Sequence, residues 1–138
     1  MDSSYVPKVL GTRPQFPGGK GCLDNFIKER IQIPANFTPD SLSEFNNISI
    51  ESNLDSAGKI IKYKIIQHLP NCATCDIEAL RLVQQMPTWI PAKGERIGGV
   101  VRNIPAELII RINFTPGYYE NTSICEVGNK NKETNSPH

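Results

Sequence analysis

No apolar run in this 138-residue chain exceeds a few residues, so nothing in it reads as a membrane-crossing helix. The opening MDSSYVPKVL has neither the basic start nor the apolar stretch of a signal peptide. Histidine is scarce: only His68 and His138 occur, so the four cysteines lack the partners of a regular zinc site, and no metal or cofactor is expected. An excess of either charge is missing too. Fifteen basic against 14 acidic residues leave +1, which argues against nucleic acid or an anionic membrane as partner. No two carboxylates are spaced to share one face for acid–base work, and no Ser/His/Asp or Cys/His grouping stands out. Gly18-Gly19-Lys20-Gly21 is too short, and lacks the preceding strand, for a phosphate loop. An enzyme therefore finds no support, and no internal repeat is present.

What remains is an ordinary globular composition, 38% hydrophobic and 21% charged, at a length that suits one core. Residues 1–14 read as an extended arm, with Phe16 just after it as an anchor. Leu23, Phe26, Ile27 and Ile31 predict a short helix over 21–31, stopped by Pro34, and a polar loop follows over 35–45. Ile48 and Ile50 alternate with Ser49 and Glu51, predicting a strand from Asn46. Asp55-Ser56-Ala57-Gly58 makes a turn, and a partner strand runs from Lys59 to Leu69. In that second strand Ile61, Tyr63 and Ile65 are expected on one face, with Lys62 and Lys64 on the other, joined there by Ile60 and Ile66.

DIEALRLVQQMPTWIP, Asp76 to Pro91, is the most particular stretch. Ile77, Leu80 and Val83, with Ala79, Leu82 and Met86, predict an apolar helix face, while Glu78, Arg81, Gln84 and Gln85 are expected in water. Asp76 and Glu78 would meet the positive end of that helix. Pro87 ends it near Met86, and Trp89, bracketed by prolines, is expected to pack inside. Ala92 to Gly99 is turn-rich. A last strand over 106–114 turns Leu108, Ile110, Ile112 and Phe114 one way, and Glu107, Ile109, Arg111 and Asn113 the other. Residues 117–138 read as a mobile polar tail. The whole predicts an α+β fold: a small antiparallel three-stranded sheet, covered on one face by helices in the order α-β-β-α-β.

Cys72-Ala73-Thr74-Cys75 precedes a helix, where a thiolate would be favoured, so a redox pair is one reading. A small disulfide is the better one, since no thioredoxin-type pattern surrounds it. Cys22 and Cys125 either bridge the first helix to the tail or stay free; spacing alone leaves both open. N-x-S/T sequons at Asn36, Asn47, Asn113 and Asn121 fall partly on predicted strands and carry little weight.

Taken together, Phe16-Pro17-Gly18-Gly19, the proline-stopped first helix, Glu78-Ala79-Leu80-Arg81 and Met86-Pro87-x-Trp89-x-Pro91 resemble the TonB C-terminal domain family of the bacterial periplasm over about residues 15–114, which places the domain at 15–116. The resemblance implies a periplasmic energy-transduction domain. Such a domain binds the TonB-box peptide of an outer-membrane transporter along its final strand, and is driven by inner-membrane motor proteins through a membrane anchor. The chain is then either a piece of an anchored protein or a free-standing relative. On this reading the partner-binding residues are Arg102, Asn103, Ile109, Arg111 and Asn113. Open sheet edges also make a homodimer possible. Two alternatives stand beside it: an interaction module of the same fold with no transport role, and a thiol redox protein using Cys72 and Cys75.

Overall fold

The computed structural model describes residues 11–94, 98–122 and 125. Helix α1 spans Lys20–Arg30 and α2 spans Ala73–Gln84. Strands β1 (Asn47–Leu54), β2 (Ile60–Gln67) and β5 (Ala106–Asn113) form an antiparallel sheet in the order β2-β1-β5. Two-residue strands β3 (Ala92–Lys93) and β4 (Asn103–Ile104) pair in a separate ladder. Ile48, Ile50 and Leu54 of β1 and Ile110 and Ile112 of β5 share one buried core with Phe26 and Ile27 of α1 and Ala79, Leu82 and Val83 of α2. That single core leaves the opposite sheet face to polar groups, among them Glu51 with Lys64 at 3.7 Å and Ser49 donating to Gln67 at 3.1 Å.

The motif residues turn out to be joints. Phe16 is buried against Trp89, edge to face with centroids 5.4 Å apart, and Gly18 and Gly19 at φ 88° and 89° turn the chain straight into α1. Trp89 is buried as expected; its backbone N–H donates to Gly58 O at 2.9 Å, which pins the β1–β2 turn to the MPTWIP segment. The arm does not hang free at its inner end. Thr12 and Lys93 exchange backbone hydrogen bonds, as do Gln15 and Ile90.

Three expectations need correction. The wet face of α2 is misassigned: Ile77 is 67% exposed, whereas Glu78 is buried at 7%. Glu78 accepts the Gln32 N–H at 2.7 Å and two bonds from Arg81, and Arg81 also donates to Arg30 O at 2.8 Å, so the EALR pair clips α2 to the end of α1. A charged pair reads as solvated in sequence, yet here it satisfies backbone groups left open where α1 stops. In β2 the register shifts between Leu54↔Ile60 and Asn53↔Lys62, and again between Ile50↔Ile65 and Ser49↔Gln67. Each shift is a bulge holding one extra residue, Ile61 and then Ile66, so Ile60 rather than Ile61 packs with Tyr63 and Ile65 on the core. Strict alternation cannot see an inserted residue.

The third concerns the tail. Residues 115–122 form consecutive turns, Tyr119 is buried, and Cys125 is joined to Cys22 of α1 by a disulfide, so the expected mobility does not hold there. Residues 126–138 lie outside the described residues, as do 1–10 of the predicted arm.

Candidate functional site

β5 lies at an edge of the sheet, and its hydrogen bonding shows which groups face outward. Phe114 N–H donates to Asn46 O at 2.8 Å, extending the β1–β5 ladder, so the even-numbered residues of β5 direct their backbone groups at β1. The odd ones, Glu107, Ile109, Arg111 and Asn113, direct theirs away. No described backbone group pairs with Glu107, Ile109 or Arg111 on that side. Eight residue pairs join β5 to β1 without a register shift, so this margin is straight.

The margin ends at Asn113. Its N–H donates to the Tyr119 hydroxyl at 2.9 Å, and its side-chain amide donates to Ser43 O and Asn47 Oδ1. Tyr119 is itself buried, which pushes its hydroxyl up to about 12 and keeps it a neutral hydrogen-bonding group. Beside the margin runs a cleft of about 310 Å³, walled by Lys20, Leu23 and Asp24 of α1, Ile109 and Arg111 of β5, and Tyr118. Lys20 and Asp24 are ion-paired at 2.9 Å, so the helix wall carries little net charge. Glu107 and Arg111 form no ion pair among the described residues, and Ile109 between them is 41% exposed.

The opposite edge is built differently. β2 carries both bulges, and Lys62 and Lys64 stand exposed along it with Lys59 just before it. Bulges and lysines are devices that discourage strand addition. The two margins of one small sheet are thus unequal: β2 is guarded and β5 is left open over three outward positions.

Of the five residues expected to bind a partner, the structure brings Ile109 and Arg111 together on the open margin. Asn113 sits at its end with its donors engaged. Arg102 and Asn103 belong to the β3–β4 hairpin, where Arg102 O accepts the Gly94 N–H and Asn103 Oδ1 accepts from Lys93 Nζ. Leu23 and Tyr118 were missed; adjacent tyrosines after Pro116-Gly117, in an otherwise polar stretch that also holds Cys125, were the available signal. Cys72 and Cys75 form a disulfide capping α2, and both are buried, which denies an attacking thiolate access to either sulfur. His68 Nδ1 lies 2.8 Å from Asp76 Oδ2 nearby; among the described residues no group of three or more His, Cys, Asp or Glu is placed to hold a metal ion.

Nothing matches this chain among protein families, curated proteins or solved structures. The geometry of the open margin therefore carries the functional argument.

Proposed function

We propose that this domain captures an extended peptide by adding it as a further strand along β5, and that it works as a TonB-like periplasmic energy-transduction domain. In that role the peptide is the TonB box of an outer-membrane transporter, and force arrives from inner-membrane motor proteins. The observation that carries the reading is the inequality of the two sheet edges. Three outward backbone positions on β5 are unpaired among the described residues, beside a cleft wide enough for side chains, while β2 is bulged and lysine-lined. Backbone hydrogen bonds at Glu107, Ile109 and Arg111 would grip a strand of almost any sequence, and Leu23, Ile109 and Tyr118 would select an apolar residue in the cleft. The TonB resemblance supplies the biological setting, and the edge supplies the mechanism.

Titration with TonB-box peptides, followed by amide NMR, tests this. The expected result is shifted resonances and slowed hydrogen exchange at Glu107, Ile109 and Arg111, with β2 unchanged. Shifts confined to the β3–β4 hairpin or to β2 would refute the assignment, as would no shift at all.

A further inference from the structure

We infer that the β5 margin reads the order of charges in the segment it takes: the segment has the form acidic-x-apolar-x-basic, lies antiparallel to β5, and sets its basic residue beside Glu107 and its acidic residue beside Arg111. The inference rests on the strand addition proposed above and names the class of peptide selected by it. On β5 the residues whose backbone faces outward are also those whose side chains stand on the outer sheet face, Glu107, Ile109 and Arg111, while Leu108, Ile110 and Ile112 turn to the core. An added strand therefore meets a carboxylate, an exposed isoleucine and a guanidinium in that order.

The sheet itself does not cancel these two charges. The β1 neighbour of Glu107 is Asn53 and that of Arg111 is Ser49, both uncharged, and Glu51 beside Ile109 is held by Lys64 at 3.7 Å. Neither Glu107 nor Arg111 forms an ion pair among the described residues. Along the strand they stand about 14 Å apart, beyond the roughly 8 Å over which physiological salt screens, and Lys62, across Asn53, is two strands or about 10 Å from Glu107. Each charge is left for an incoming partner. Pro105 has no N–H and the Asn113 N–H already donates to Tyr119, so the margin offers three outward positions and the register follows. A slip of two residues sets one charge of the segment against Ile109 and the other beyond the open positions. The two x residues turn to the opposite face, toward the cleft walled by Leu23 and Tyr118. Charge order also sets direction. A segment of the reversed form, basic-x-apolar-x-acidic, opposes like charges when antiparallel, which is destabilising; lying parallel it recovers both attractions on a slightly weaker ladder.

Three blocked heptapeptides test this: Ser-Glu-Thr-Ile-Val-Lys-Ser, its charge-exchanged form Ser-Lys-Thr-Ile-Val-Glu-Ser, and a neutral form with Ser at both charged positions. By fluorescence polarisation the acidic-first peptide should bind about threefold to tenfold tighter than the neutral one, a gain that shrinks as NaCl approaches about 1 M. A nitroxide at the peptide N-terminus reports direction by amide NMR. It should broaden Arg111 and Asn113 with the acidic-first peptide, and Ala106 and Glu107 with the basic-first one. In E107R/R111E the two patterns should exchange, and the peptide exchange on wild type gives the same readout without any substitution. Broadening at one end whatever the charge order, or equal affinity for charged and neutral peptides, would overturn the charge reading while strand addition stands. Absence of slowed exchange at Glu107, Ile109 and Arg111 with every peptide, TonB-box peptides included, would remove both.

Discussion

Gly58 shows how much a single position carries. Its φ of 90° favours glycine, and a Cβ there would sit 1.9 Å from Trp89 O, against backbone that cannot swing aside. Gly58→Ala is expected to cost more than about 2 kcal/mol in urea unfolding. Gly19→Ala, at φ 89° but with open space around it, should cost only about 1 kcal/mol. Tyr119 is the second such residue. Its folded-state hydroxyl titrates near 12, above its unfolded range, so its contribution is complete below about pH 10 and is lost as pH rises through 12. Tyr119→Phe should therefore make the alkaline decline of stability shallower, by a total of order 2 kcal/mol between those limits. An equally steep decline in the variant would rule out Tyr119 as the source. Neither role was legible beforehand. Gly58 reads only as a turn residue, and Tyr119 as part of a polar tail, because the atoms that constrain them come from residues far along the chain.

Among the elements, β2 separates pattern from packing most clearly. Its composition announces a strand, and the boundaries fall within a residue or two of expectation, but the two bulges reassign its faces. Ile65→Ala is expected to cost about 2 kcal/mol, since Ile65 packs on the core, while Ile66→Ala next to it should stay within about 0.5 kcal/mol. Similar costs at both positions would contradict the second bulge. α2 begins three residues before the predicted Asp76, because Cys72 Sγ accepts the Cys75 N–H and caps the helix there. β5 was the most legible element, with all eight residues expected and their alternation observed as far as Ile112; Asn113, expected on the outward face, is buried instead. The β3–β4 hairpin was overlooked because two-residue strands are too short to show a period.

In the whole molecule, two disulfides do unequal work. Cys22–Cys125 closes a loop of 103 residues and straps the segment after β5 onto α1, whereas Cys72–Cys75 spans three. On the chain-entropy account the long closure contributes roughly 4–5 kcal/mol and the short one under about 2. A Cys22→Ala/Cys125→Ala variant should thus lose far more thermal stability than Cys72→Ala/Cys75→Ala, as differential scanning calorimetry would show. Equal losses would mean that the buried turn around Tyr119, and not the bond, secures the strap. The strap also bounds the site, since Tyr119 closes the margin at Asn113 and Tyr118 walls the cleft.

The sequence alone determined the helices, the three long strands, the burial of Trp89 and the outward set Glu107, Ile109 and Arg111, since each follows from periodicity and from where proline forbids a helix. The tertiary structure decided which edge stays open, which cysteines join and where the margin ends. Those depend on an inserted residue in one strand, a bond across 103 positions and a hydroxyl arriving from a turn, and no local pattern encodes any of them.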